Sequence, residues 1–362
     1  MESEFSRQTP RLSAKDRIRR RVKTSALKFL AQSGLASMIG SRYAGRGVAL
    51  MFHEFTHCPK SKLDQGCRIE DFEAILKKIR KSGRDIVTLS EAVRRLNEPG
   101  SRPFVVLTFD DGYRSNLELA LPVMERYDAP AIIFVPTEMM TRTINAWWLG
   151  LRDLVESNDS IDMDPMGVRF HCPDLEGKIA TLRRLTAWVW DDFQRAGLLQ
   201  DVFHAHSVSM PDLVDQLAMT ETDMVESDRH PLIEIGAHTT THRALTILSE
   251  AEVEEDISAN KHYLQDKLQR EVPHFAYPYG PPSISGYREA DIVRKLGFKV
   301  AVTTEPGCLF PEHLDQPFLL PRQDAEYTED SLVQAVCGMN GVFRAMASRG
   351  GSPIANPAVC RD

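Results

Sequence analysis

Residues 104–112 read Phe104-Val105-Val106-Leu107-Thr108-Phe109-Asp110-Asp111-Gly112: six β-favouring residues closed by two carboxylates and a glycine. An apolar run of this length, rich in branched and aromatic side chains, is what a strand buried on both faces requires. Runs of the same kind recur at 48–52, 86–89, 131–135, 232–237, 274–277 and 299–303, with a weaker eighth at 318–320. The stretches between them, 69–81, 90–97, 116–127, 249–268 and 286–296, carry helical spacing of apolar residues. Strands alternating with helices predict a parallel sheet, and seven or eight such units predict a barrel.

Between Trp147 and His230 the rhythm stops. These 84 residues contain no clear strand but helical patches at 177–196 and 210–218. A structureless loop of that length is foreign to a compact domain, so the segment reads as a helical insertion. At ~150 residues per domain, the 362-residue length fits two units or one decorated barrel equally well. The 42% hydrophobic and 26% charged fractions exclude disordered, collagen-like and coiled-coil classes.

The net charge of −7 is unevenly spread. Residues 1–28 hold nine Lys/Arg against three acids, so the remaining residues carry −13. An acidic body repels polyanions, which argues against nucleic acid as a partner. Cys58, Cys67, Cys172, Cys308, Cys337 and Cys360 are scattered without a CxxC pair, the pattern of reduced thiols in a cytoplasmic chain. The segment 26–40 is broken by Lys28, Gln32, Ser33 and Gly34 and lacks the continuous apolar core of a signal peptide. Ile18, Val22, Ala26, Phe29 and Leu30 recur at helical spacing beside Arg19, Arg20 and Arg21. Such a helix is either a solvated arm packed on the body or a peripheral contact with the inner face of a membrane.

In a parallel barrel, reacting groups come from the C-terminal ends of strands. His53 follows the run 48–52, Asp110 and Asp111 follow 104–109, His238 and His242 follow 232–237, and Pro278, Tyr279 and Gly280 follow 274–277. Adjacent carboxylates point in different directions, so one can hold a cation while the other acts as a base. A helix cap is the plainer alternative for either aspartate. Two imidazoles four residues apart share one face if the segment is helical, although the three intervening threonines weaken a helix. Asp111 with His238 and His242 makes an N₂O donor set with positions left open, which suits a catalytic divalent metal. Zn²⁺ fits best, and Co²⁺, Ni²⁺ or Fe²⁺ fit the same geometry.

LTFDDGY at 107–113, IGAHTTTH at 235–242 and FAYPYG at 275–280, in this order, resemble the signature of the polysaccharide deacetylase family, the NodB-homology or carbohydrate esterase family 4 enzymes. The resemblance runs from about residue 47 to about residue 324. It implies an α/β fold, a distorted (β/α)₇ barrel over 47–330 with a helical region inserted at about 147–230. A basic helical arm over 1–46 and a tail over 331–362 flank it. It also implies a metal-dependent hydrolase that removes acetyl groups from N-acetylated sugars of an oligosaccharide, polysaccharide or glycan precursor. Asp110 matches the general base, and Asp111, His238 and His242 match the metal ligands. Pro278 and Tyr279 match the groove motif in which the tyrosine N–H helps hold the oxyanion.

Two features depart from the family pattern. Many members place an arginine where this chain has Ala276, and the late Leu-x-His motif that carries the general acid is missing, His313 being a poor match. ALMFH at 49–53 resembles the LMYH-type strand of the poly-N-acetylglucosamine deacetylase branch, which implies His53 as the acid. LPR at 320–322 resembles that branch's late motif, which implies Arg322 as the source of the charge missing at Ala276. His57 is a neighbouring candidate for metal or acid. Trp147 and Trp148 read as anchors of the insertion or as a stacking platform for sugar, and Trp188 and Trp190 as core of the insertion. Two rival functions remain open: an O-acetyl esterase on acetylated glycan, and a non-catalytic glycan-binding barrel, which Ala276 favours.

Overall fold

The computed structural model describes residues 6–11, 13–57, 63, 66–281, 283–326 and 330–355; Cys58 and Cys360 lie outside them. Seven parallel strands form a closed barrel: β1 (Gly47–Phe52), β2 (Phe104–Phe109), β3 (Ala131–Val135), β4 (Ile233–Ala237), β5 (His274–Ala276), β6 (Val300–Pro306) and β7 (Leu320–Asp324). They pair in chain order, and β1 closes the ring by pairing with both β2 and β7. The register runs from Gly47↔Phe104 to Phe52↔Phe109, so His53 and Asp110 leave the barrel side by side on one rim.

Two of the eight expected runs change roles. The run at 86–89 supplies only a two-residue strand, Asp85–Ile86, outside the ring against β2. It stops there because Thr88 accepts a hydrogen bond from the Glu91 N–H and caps the helix Leu89–Asn97. The weak run at 318–320 is instead the stave β7, shifted to 320–324. Its signal is faint because Arg322 and Gln323 occupy fully buried positions that would ordinarily be apolar.

Helices cover the barrel by the expected amphipathic logic. Ile69–Lys81 places Glu70 and Asp71 in its first turn and Lys78, Arg80 and Lys81 in its last, complementing the helix dipole. Its buried face includes Phe72, which meets Phe52 edge-on at 5.3 Å. Burial of each such ring stabilises the fold by about 1.5–3 kcal/mol. Glu250–Leu268 opens with a capping box between Ser249 and Glu252. Gly236 in β4 is required by close approach: a Cβ there would lie 2.6 Å from the Phe134 ring.

The chain divides into two compact units, one of residues 26–57, 65–141 and 218–362, which holds the barrel, and one of residues 1–25, 58–64 and 142–217. The second unit is mainly helical, with Trp147–Ser157, Leu175–Asp191, Leu199–Ala205 and Met210–Leu217. It also contains an antiparallel pair, Ser160–Met163 with Val168–His171, that the sequence reading did not anticipate. Both strands are four residues long, too short to stand out by periodicity; the Asp164–Met166 turn and left-handed Gly167 between them are the signal. Trp147 is buried and meets Trp148 edge-on at 6.0 Å. Trp190 is 44% exposed rather than core, and Leu185 and Val189 fill that role on its helix. Residues expected as a tail form two helices, Ser331–Met339 and Val342–Ala347. Their Val333, Cys337 and Val342 pack with Leu27 and Ala36.

Candidate active site

Asp110 and Asp111, adjacent in sequence, face different partners. Asp110 receives both arms of the Arg322 guanidinium, Nη1 to Oδ1 at 2.8 Å and Nη2 to Oδ2 at 2.7 Å. Arg322 reaches from β7 and is itself held: Nε donates to the Thr303 carbonyl at 2.9 Å and Nη1 to Thr108 Oγ1 at 3.0 Å. Its guanidinium lies 5.9 Å from the centre of the Phe134 ring, the ring for which Gly236 makes room. Both charges are buried, at 3% and 1% exposure. Burial pushes the Asp110 carboxyl up, but Arg322 together with His238 and His53 outweighs it and holds the group below the usual carboxylate range. The position at which the family pattern puts an arginine, Ala276, is filled by core packing on β5.

Asp111 has φ 70°, which turns its carboxylate away from its neighbour. Its Oδ1 lies 3.2 Å from His242 Nε2 and 3.5 Å from His238 Nε2. His238 Nδ1–H donates to the Ala276 carbonyl at 2.7 Å, so in the neutral ring it is Nε2 that carries the lone pair. A lone pair therefore faces a carboxylate oxygen that is buried and has no hydrogen-bond partner. Two acceptors do not bond one another, and a cation between them satisfies both. Burial holds His242 below its usual range and so favours the neutral ring. Ionised carboxylate and neutral imidazole are the forms that bind metal. Among the described residues, Asp111, His238 and His242 form a cluster whose ligand atoms all lie within 4.8 Å of one another.

The segment 238–242 is not helical. Thr239 and His242 have φ of 64° and 52°, and the turn is pinned from outside. Asn260 accepts from the His238 N–H at 3.0 Å and donates to the Val135 carbonyl at 3.1 Å, while Asp256 accepts from the Thr241 N–H at 3.2 Å. Both come from Glu250–Leu268, four residues apart on one face. Tyr279, with φ 61°, places its ring 5.0 Å from that of His242. Four of the nine described non-glycine residues with positive φ, namely Asp111, Thr239, His242 and Tyr279, thus sit at this rim, where strain concentrates when geometry is functional.

His53 Nδ1 meets Glu326 Oε2 at 2.7 Å, and Glu326 Oε1 accepts from the Glu54 N–H at 3.0 Å. Partial burial opposes charge on His53, whose side chain is 34% exposed, but Glu326 with Asp111 and Asp110 prevails and lifts the imidazolium to about 10. The His53 carbonyl accepts from Asn116 Nδ2 at 2.7 Å. His57 is exposed, 3.8 Å from Glu70, and joins none of these groups. His313 is buried, with Nδ1 accepting from the Phe310 N–H and Nε2 against the Ala355 carbonyl. Glu326, Asp256 and Asn260 belong to none of the sequence motifs. Glu326 lies two residues past β7, where the strand-end rule finds it once that strand is set at 320–324.

Comparison with known proteins gives a consistent result. The family model described as polysaccharide deacetylase matches residues 97–166 and 214–301. YxkH of Bacillus subtilis strain 168, classed by name with the polysaccharide deacetylases, is 22% identical over 260 residues. That alignment covers 71% of this chain and 64% of YxkH, so the chain spans under two thirds of that relative. IcaB from Ammonifex degensii superposes with a TM-score of 0.52 at 20% identity, covering 81% of this chain and 97% of IcaB. The Streptococcus pyogenes deacetylase PplD, solved in complex with acetate, gives 0.51 at 19%, covering 76% and 90%. These structural likenesses establish the fold.

Proposed function

We propose that this chain, whose residues 97–166 and 214–301 match the polysaccharide deacetylase family model, is a metal-dependent carbohydrate N-deacetylase acting on N-acetylated sugars of a glycan or glycan precursor. The observation that carries the reading is the division of labour between adjacent carboxylates: Asp110 locked by Arg322, Asp111 facing two imidazoles.

In this reading Asp111, His238 and His242 hold a divalent cation, best Zn²⁺ for a mixed N/O set. When bound, that ion supplies Lewis acidity, polarising the acetyl carbonyl and lowering the pKa of water. Asp110 accepts the proton of the attacking water, and its pairing with Arg322 keeps it ionised well into acid. The Tyr279 N–H donates to the carbonyl oxygen as negative charge develops there. His53, charged and oriented by Glu326, protonates the departing amine. An amide needs that acid because an unprotonated amine leaves poorly, whereas an acetyl ester departs without it. The His53–Glu326 pair therefore favours amide over ester cleavage and active enzyme over a binding barrel. The scattered cysteines, four of them buried and free, suit a cytoplasmic setting.

The test is acetate release from N-acetylglucosamine oligomers and from an acetyl ester, before and after chelation and metal restoration. Wild-type protein is expected to release acetate from the oligomers only with metal. His53→Asn is expected to lose the amide activity ~10²–10⁴-fold and to retain most of the ester activity. Failure of every N-acetylated sugar alongside turnover of the ester assigns the O-acetyl esterase function; glycan binding without release assigns the binding barrel.

A further inference from the structure

The helix Ala14–Ser33 carries seven Lys/Arg and a single acid, Asp16. One side of it is committed: Leu27 is buried, and Leu30 and Ala31 pack against the cluster of Cys337 and Val342. The opposite side is uncovered and exposes three large apolar side chains, with Ser25 and Gln32 on the same face. Ile18, Val22 and Phe29 are 63%, 63% and 62% exposed. At 3.6 residues per turn they fall within roughly 40° of arc. Leu27 and Ala31 project almost directly away from them. Lys15 and Arg21, both exposed, border the stripe on either side. The next helix, Leu35–Tyr43, exposes Met38 at 70%.

We propose that this stripe seats the protein on an anionic phospholipid surface, with Ile18, Val22 and Phe29 entering the acyl boundary and the flanking cations on the headgroups. Charge complementarity selects this occupant. A narrow apolar stripe between cationic borders matches the headgroup–acyl boundary of an anionic leaflet. A second copy docking stripe to stripe would oppose Lys15 and Arg21 of both chains, like charge against like. The acidic remainder of the chain is repelled by the same leaflet, so contact is confined to this helix. Among the described residues no helix is long and apolar enough to cross a membrane. The surface is independent of the deacetylase chemistry and is read without substrate.

The experiment is co-sedimentation of the full chain with vesicles of phosphatidylcholine alone and with phosphatidylglycerol added. Binding is expected on the anionic vesicles, weakening as salt rises. The triple variant Ile18→Ser, Val22→Ser, Phe29→Ser is expected to lower partition at least ~10-fold. Lys15→Glu with Arg21→Glu is expected to lower it at least ~25-fold, at about fivefold per cation. All five side chains are exposed, so unchanged melting curves and an unchanged oligomeric state are expected for both variants. A blue shift of added tryptophan emission from Phe29→Trp on anionic vesicles supports insertion directly. Equal binding to neutral vesicles, undiminished binding by the triple variant, or no binding at all overturns the proposal. Self-association abolished by the triple variant, with no vesicle binding, assigns the stripe to a second copy instead.

Discussion

Replacing Arg322 with methionine removes a charge while roughly keeping the length of the side chain. In the native protein Asp110 and Arg322 are joined by two hydrogen bonds of 2.8 and 2.7 Å and are 3% and 1% exposed. Breaking such a pair strands a carboxylate in the interior, which costs about 3–5 kcal/mol at neutral pH. The pH dependence has a definite sign. Native Asp110 lies below its unfolded value, so it stabilises the fold above the ordinary carboxylate pKa, and that contribution is lost as pH falls through the folded value. In the variant, burial keeps only the opposition of His238 and His53, so Asp110 is expected to rise above its unfolded value and to destabilise the fold as pH rises. The melting-point gap between the two proteins is therefore widest near neutrality and narrows in mild acid. Acetate release should fall ~10²–10⁴-fold at neutral pH, its acid limb should move to higher pH, and activity should partly return in alkali as Asp110 ionises. Arg322→Lys keeps the charge but not the planar fork that also engages Thr303 and Thr108, and should fall between. Turnover within ~3-fold of wild type and an unmoved acid limb for Arg322→Met would refute the positioning role.

Two further outcomes follow from the same geometry. Glu326→Gln removes the charge that lifts His53 to about 10, so the alkaline limb of turnover should move down, read from the pH–rate profile on an N-acetylated oligomer. The same change removes stability that the native pair supplies below pH ~6.5 and loses only as pH rises through about 10, so its melting point should differ least in strong alkali. Asn260→Ala frees the His238 N–H and the Val135 carbonyl together, loosening the turn that presents both imidazoles. Metal affinity measured by competition with a chelator should drop ~10–100-fold, and retention of wild-type affinity would deny the turn its role.

The strands that advertise themselves in the sequence are those whose inward faces are apolar, such as Phe104–Phe109 and Ala131–Val135, buried along their whole lengths. The stave Leu320–Asp324 hides because it carries the site's cation inside the barrel, and a buried arginine looks like a loop residue until its carboxylate partner is located 212 positions earlier. The same long range separates His53 from Glu326 by 273 positions. Local patterns reveal which residue types stand at strand ends; barrel closure, with β1 paired to β7, decides which of them meet. His238 and His242 illustrate the limit from the other side. Spacing of four suggested a helix, yet left-handed backbone at Thr239 and His242 brings the rings to 4.9 Å in a turn. That backbone persists because Asp256 and Asn260 bind its N–H groups from a separate helix. The departure at Ala276 has the same physical origin. One guanidinium must neutralise Asp110, and once β7 supplies it the position on β5 is released to pack as core, its carbonyl orienting His238. With Arg322 already pairing Asp110 from β7, an alanine at 276 leaves no carboxylate uncompensated, which is why the missing motif residue does not argue for a dead site.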